Sequence, residues 1–398
     1  MLASQMHLRK LLLIFLIIVL LLIAFLVFRS KGALPAVLPP KEVPKSEVVE
    51  TQLGLKIPAG FKIDIFATDL VGPRVETFDQ QSTLLTSIPS EGKVVALPDK
   101  NNDGKADSMI TLVANLDRPH GLAIKDGKLY VAQVSNVLVF DYDNQSLKVA
   151  NQKLVVNLPG GGRHFTRTIR FREDGKLYIS VGSTCDVCVE KDPRNATLLE
   201  ADPKTGESRI FAKGLRNSVF FTFHPKTAKI WATEMGRDFL GDDLPSDEIN
   251  LIEEGKDYGW PYCYGDKVHD TNFDKKVYVQ IIPQPPCGQT EPPIYEIPAH
   301  SAPLGLVFIN SSQFPQDWQG DLLVAYHGSW NRSTPVGYKI VRLKISGEKV
   351  LSEEDFISGF LQGEQTIGRT VDLLFDGQGN LFISDDKAGV IYKVSSKN

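Results

Sequence analysis

The chain of 398 residues has no basic excess: 44 Lys and Arg stand against 48 Asp and Glu, and beyond residue 51 the balance is 38 against 45. Without surplus cation a surface cannot neutralise a phosphate backbone, which excludes nucleic-acid binding as the main role. Nor is apolar content depleted, at 42% hydrophobic and 23% charged residues, so the bulk is not disordered and can bury a core. Cysteine is scarce: four, as Cys185-x-x-Cys188 followed by Cys263 and Cys287. An even count fits two disulfides in an oxidising compartment, with three pairings open. A tetrahedral zinc site is the alternative, weakened because the second pair lacks a CxxC spacing. Haem attachment is excluded, since Val189 stands where a His must follow the motif.

Long apolar runs are also missing, with one exception. Leu11–Phe28 holds eighteen residues without a charge, about 27 Å as a helix and just enough to span a bilayer. A cleaved signal peptide is the rival reading, but the run exceeds the usual length and leads into Arg29 and Lys31, not a small-residue cleavage site. Residues 1–31 are therefore expected to be a single-pass membrane anchor. Basic residues flank both ends, so charge bias leaves the orientation open. Cysteine usage places the soluble domain outside the cytoplasm, periplasmic or extracellular. Pro35, Pro39, Pro40 and Pro44 make 32–51 an expected stalk, leaving 52–398 for the folded domain.

Helical periodicity is almost absent from 52–398. Short strand-like runs recur instead beside turn residues: DGKLYVAQV (126–134), DGKLYISVG (174–182), TAKIWATEM (227–235), QGDLLVAYH (319–327) and QGNLFISDD (378–386). Anchored on Leu129, Leu177, Ile230, Leu322 and Leu381, the gaps are 48, 53, 92 and 59 residues. The long gap holds an insertion or a degenerate unit, and either Leu84 or Val94 marks an earlier member. Units of about 58 residues with three or four strands predict an all-β fold, a six-bladed β-propeller rather than a sandwich.

A second strand precedes each of these, and cationic or polar residues stand just before it: Arg118 and His120, His164 and Arg167, Arg216 and Asn217, His300 and Ser301, and Arg369. Innermost propeller strands line the axis, so these positions converge on one channel mouth. Singly, such residues cap strand ends. Together, a ring of Arg and His is costly unless it holds an anion, and guanidinium groups suit carboxylates through bidentate contacts. A phosphate or an acidic peptide would fit the same ring.

GRHFTRTIRF (162–171), GLRNSVFFTFHP (214–225), ATEMGRD with SDEINLIEEGKDYGWPYCYG (232–265), LLVAYHGSWNR (322–332) and GRTVDLLFDGQGNLFISDDKAGVIYKV (368–394) resemble the glucose/sorbosone dehydrogenase family, in its sorbosone or pyranose dehydrogenase-like branch. The resemblance implies a pyrroloquinoline quinone-dependent six-bladed propeller that oxidises a sugar or alcohol by hydride transfer, with calcium as Lewis acid. By that resemblance His164 is the general base, a task an imidazole suits. Arg216 holds the cofactor and polarises its carbonyl, Asn217 and Arg369 contact it, and His327 and Ser301 align with further contacts. Gly236 and Arg237 align with backbone carbonyls that hold calcium. Met235 and Val371 depart from the glucose-oxidising branch, where a Gln and a second arginine stand.

Independently, Asp99-x-Asn101-x-Asp103-Gly104-x-x-Asp107 spaces oxygen ligands as a calcium loop does, against the plain reading of a solvated acidic turn. The expectation is a membrane-tethered quinoprotein that passes electrons to a quinone or cytochrome acceptor. The alternatives are a non-catalytic binding propeller and a calcium-dependent hydrolase or lactonase on the same architecture.

Overall fold

The structure, a computed structural model, describes residues 47–273 and 287–397. The membrane helix expected at 1–31 and most of the stalk expected at 32–51 lie outside the described residues. Among those described, no helix is long and apolar enough to cross a membrane. Val48–Glu50 pairs with Lys56–Pro58, so strand structure begins within the segment expected as stalk.

Six four-stranded antiparallel sheets follow one another along the chain, the blades of the expected propeller. Blades 1 to 5 occupy 76–113, 122–157, 169–213, 221–297 and 303–357. Blade 6 takes three strands from 370–396 and its outermost, Phe61–Ala67, from the beginning of the domain. This exchange ties the two ends of the domain together and closes the ring. The innermost strands are cross-linked at the axis, where the Glu76 amide donates to Asp372 Oδ2 at 2.9 Å and Arg170 Nε to the Phe221 carbonyl at 2.8 Å, and Thr233 Oγ1 of the second strand of blade 4 donates to the Leu304 carbonyl of the innermost strand of blade 5 at 2.9 Å. Packing there is tight enough that a Cβ on Gly305 would come within 2.5 Å of the Val371 carbonyl oxygen.

The repeated motif is the second strand of each blade. In blade 2 its turn is Asp126-Gly127, with φ of 51° and 69°, the two left-handed residues that a tight two-residue hairpin requires. Leu84–Ile88, Leu177–Val181, Ile230–Glu234, Leu322–Tyr326 and Leu381–Asp385 are buried at every position. They do not alternate, because a middle strand is covered on both faces by neighbouring blades. Leu84, not Val94, is the equivalent of Leu129, since Lys93–Leu97 is a third strand. The gap of 92 residues is an insertion in blade 4 between Asp247–Ile252 and Tyr295–Ile297, stapled by Cys263–Cys287. Cys185 pairs with Cys188, and no cysteine is left free for zinc. Between blades the core is aromatic: the Trp231 and Phe308 rings lie 5.4 Å apart, and Phe61 of blade 6 packs on Phe356 of blade 5 at 5.6 Å.

Candidate functional site

Loops leading into the innermost strands of blades 3, 4 and 5 meet two longer loops, 235–246 and 327–338, at one end of the axis. They enclose an open cavity of about 240 Å³ whose lining includes His164, Arg216, Asn217 and Gly236. Four residues singled out from widely separated motifs thus come together.

His164 is held by a short relay. Its Nδ1 lies 2.8 Å from Ser183 Oγ, and Ser183 Oγ donates its hydrogen to the Cys185 carbonyl at 2.6 Å. A serine has one hydroxyl hydrogen, so Nδ1–H is the donor to Ser183 and Nε2 keeps its lone pair. Burial, reinforced by the Arg216 and Arg163 charges, lowers the His164 pKa to about 3. The imidazole is therefore neutral near pH 7, with one basic nitrogen. Gly182 makes the arrangement fit: a Cβ there would meet His164 Cβ at 2.6 Å and Asn217 Oδ1 at 3.1 Å. Gly182→Ala should displace His164, read as a shift of its imidazole proton resonances with circular dichroism unchanged; unshifted His164 resonances in this variant would show that His164 is not held in place by this contact.

Arg216, 5% exposed, is gripped from the same loop. Its Nε donates to the Asp186 carbonyl at 2.8 Å and its Nη2 to Asp186 Oδ1 at 2.7 Å, with Asp238 Oδ2 3.4 Å away. Burial pushes the Asp186 carboxyl up, but the Asp238 amide and the Arg216 guanidinium outweigh it and hold it below the usual range. Asp186 lies inside the ring closed by Cys185 and Cys188. One disulfide loop therefore orients both His164, through Ser183, and Arg216, through Asp186. Arg163 pairs with Asp238 at 3.2 Å. Asp247 accepts from the Gly236 and Ala302 amides at 2.9 and 2.8 Å, and burial raises its pKa to about 7.

The expected ring of Arg and His comes together in part, with His164, Arg216 and His300 in one lining, and protein carboxylates sit against it. Carboxylates from other loops neutralise it: Asp186 and Asp238 at Arg216, and Asp386 between Arg74, at 2.6 Å, and His327, at 2.9 Å. Arg369 donates to the His327 carbonyl at 3.1 Å and to the Gly328 carbonyl, and lies with His327 outside the cavity lining. Ser301 Oγ donates to the Pro298 carbonyl at 2.7 Å; its neighbour His300 takes the place in the lining. Arg237 turns its guanidinium into blade 4, against Asp270 at 2.6 Å. Among the described residues neither the Gly236 nor the Arg237 carbonyl oxygen accepts a hydrogen bond. His120 is fully buried against Phe220, and Arg167 caps the His164, Thr166 and Pro159 carbonyls. Met235 lines the cavity and its sulfur accepts from Asn217 Nδ2 at 3.2 Å, whereas Val371 is buried core.

The Asp99–Asp107 loop is elsewhere, bordering a different cavity. Its side chains cap the loop's own backbone: Asp99 accepts from the Asp103 and Gly104 amides, Asn101 from Asp103, and Asp107 from Lys100. Among the described residues the groups of three His, Cys, Asp or Glu ligand atoms within 4.8 Å of one another occur at the two disulfides and not in this loop.

Arg163, Ser183, Asp186, Asp238, Asp247 and Asn331 were not singled out as site residues from the sequence. Asp247 opens the DEIN motif, Asp186 sits within the CxxC, and Asn331 lies in SWNR, so the motifs contained them. Ser183 acts on His164 within its own blade, and the others on partners in neighbouring blades. The cavity presents both signs, Arg163 and Arg216 with Asp238 and Asp247, and two buried oxygens without partners among the described residues, Asn217 Oδ1 and Asn331 Oδ1. That donor set fits an anionic cofactor bound together with a divalent cation better than an anion alone.

Residues 55–397 match the family described as TrAA12-like. An uncharacterized protein of Borreliella burgdorferi is 34% identical over 357 residues, covering 85% of this chain and 90% of that one. A protein of Hypocrea jecorina named pyrroloquinoline quinone-dependent sugar dehydrogenase is 29% identical over 245 residues, 52% of this chain and 56% of that one. The calcium structure of Trichoderma reesei Carbohydrate-Active Enzymes Family AA12 superposes with a TM-score of 0.73 at 23% identity, covering 89% of this chain and 98% of that one. With nearly the whole propeller matched, the chain belongs to the TrAA12-like family.

Proposed function

We propose that this chain is a quinoprotein dehydrogenase that oxidises a sugar or related alcohol, with pyrroloquinoline quinone as cofactor and calcium beside it. The observation that carries the reading is the neutral His164, its Nε2 free, in one cavity with the buried guanidinium of Arg216. The named relative of Hypocrea jecorina supports the cofactor and substrate class.

Arg163 and Arg216 would hold the anionic groups of the quinone, and Asn217 Oδ1 would gain a partner. The Gly236 carbonyl, with Asp238 and Asp247 nearby, offers oxygens for the cation. When bound, the quinone supplies the hydride acceptor. His164 takes the substrate hydroxyl proton at Nε2, and the resulting imidazolium is held through Nδ1–H by Ser183. Arg216 keeps its place because two carboxylates fix it, so little reorganisation accompanies the reaction. The apolar run at 11–28 supports tethering to a membrane, with the propeller outside the cytoplasm and electrons leaving to a quinone or cytochrome acceptor.

A binding propeller without catalysis is the second reading, favoured by one observation: Arg216, His327 and Arg369 already have protein partners. Titrating the purified protein with quinone and calcium while following cofactor absorbance, then adding an aldose panel with a dye acceptor, separates the two. Calcium-dependent, stoichiometric quinone binding and turnover of at least one aldose are expected. Failure to bind at millimolar excess overturns the dehydrogenase, and release of the full chain from membranes by alkaline carbonate overturns the tether.

A further inference from the structure

Two aromatic rings stand out into solvent at the rim of this cavity. Trp330 is 63% and Phe239 67% exposed, and their rings meet edge to face with centres 6.5 Å apart. Trp330 lines the cavity with His164 and Arg216, and Phe239 follows the lining residue Asp238. Burial does not explain either ring, because neither belongs to the core between blades. Phe239 also has a φ of 68°, a left-handed backbone that a bulky side chain rarely adopts and that surrounding structure must impose.

The surroundings do impose it. Loop 235–246 of blade 4 and loop 327–338 of blade 5 are locked together beneath the rings. Asn331 Nδ2 donates to Asp238 Oδ1 at 2.7 Å, Arg332 Nη2 to Asp243 Oδ1 at 2.8 Å and Arg332 Nη1 to the Asp242 carbonyl at 2.5 Å, and Ser333 bonds Asp242. Above them, the Arg163 guanidinium lies 5.8 Å from the Trp330 ring centre and steadies it. The exposed rings are thus held at the rim of a cavity whose lining includes Asn331, with Oδ1 unpartnered among the described residues.

A pyranose ring has the matching chemistry: a flat face of C–H groups for an aromatic ring, and an edge of hydroxyls for a carboxamide or a carboxylate. Large, rigid and amphipathic side chains are how a site takes such a ligand at low entropic cost. A protein partner would need a contiguous apolar patch, and here two rings stand among Arg163, Asp238, Asn331 and Arg332. We infer that Trp330 and Phe239 form a stacking subsite for a second pyranose ring, adjacent to the ring presented to His164, so that the preferred ligand is a neutral oligosaccharide rather than a free monosaccharide. This deepens the sugar-oxidising reading and rests on it for the identity of the first ring.

The test is calorimetric titration of the purified full chain, without quinone, with cellotriose, maltotriose and xylotriose against glucose and xylose, with tryptophan fluorescence as the second readout. At least one trisaccharide should bind about tenfold more tightly than its monosaccharide and shift the tryptophan emission. Trp330→Ala and Phe239→Ala should each abolish that preference, and Trp330→Tyr should restore most of it. Equal binding of trisaccharide and monosaccharide by the wild type, or an undiminished preference in Trp330→Ala, overturns the subsite. Because no turnover is measured, the subsite and the redox reading fail separately: a trisaccharide preference in a protein that never binds quinone supports the subsite and overturns the dehydrogenase.

Discussion

His164→Ala should lower turnover by about 100- to 10,000-fold, the usual contribution of a positioned general base, while quinone binding measured by absorbance stays within about threefold of wild type. The separation follows from the geometry: the groups proposed to hold the anion are Arg163 and Arg216, whose hydrogen bonds and ion pairs go to Asp186, Asp238 and the Met235 carbonyl and not to His164. The pH dependence is equally specific. Burial lowers the folded-state pKa to about 3, against about 6.5 in an unfolded chain, so the base form persists well below neutrality. No acid limb from this residue should appear in turnover down to about pH 4, whereas an imidazole with an ordinary pKa would lose activity below about pH 6.5. In stability the sign is the same. The unfolded chain binds the proton first, so the contribution of neutral His164 is complete above about pH 6.5 and is lost as pH falls toward 3. Wild-type turnover in His164→Ala would remove the base assignment.

Arg216→Ala should damage binding and fold together. The side chain is 5% exposed and sits between Asp186 at 2.7 Å and Asp238 at 3.4 Å, so deleting it leaves two largely buried carboxylates facing each other. Breaking a buried pair in this way costs about 3–5 kcal/mol, visible as a lower urea midpoint, and quinone affinity should fall by at least about 100-fold because a charge-assisted contact disappears. Arg216→Ala combined with Asp186→Asn should recover part of the stability, since one unpaired charge is removed, but none of the quinone affinity. An unchanged urea midpoint in Arg216→Ala would mean that the cluster does not brace the site.

Local pattern carried the architecture because each blade repeats the same short-range physics. A turn such as Asp126-Gly127 and an apolar run such as Leu129–Ala132 are legible wherever they recur. Ambiguity arose where local signals were equivalent. Leu84–Ile88 and Lys93–Leu97 are consecutive, largely buried strands of one blade, and only their pairing order tells the second from the third. The 92-residue gap was undecidable for the same reason, as nothing in Cys263 or Cys287 alone says that the extra residues lie between the third and fourth strands of blade 4.

The site was half legible. His164, Arg216 and Asn217 could be read because each precedes an innermost strand of a repeating unit, and Gly236 through the family resemblance. Arg369 and Ser301 stand at comparable places, and His327 enters through the resemblance, but all three end beside carbonyls and Asp386, outside the cavity. What separates the two groups is the partner. Asp186 reaches Arg216 across 30 residues, and Asp386 reaches His327 across 59.

By itself, then, the amino-acid order determined the repeating strands of the propeller, an even set of four cysteines, and the polar and cationic residues that precede the innermost strands. Tertiary structure alone decided which of those cations are neutralised, which nitrogen of His164 stays basic, and that Trp330 and Phe239 face solvent together. Strand and turn preferences act over a few residues and leave a local imprint. Electrostatic compensation, tautomer and exposure depend on groups brought within a few ångströms from distant parts of the chain, and no local pattern records them.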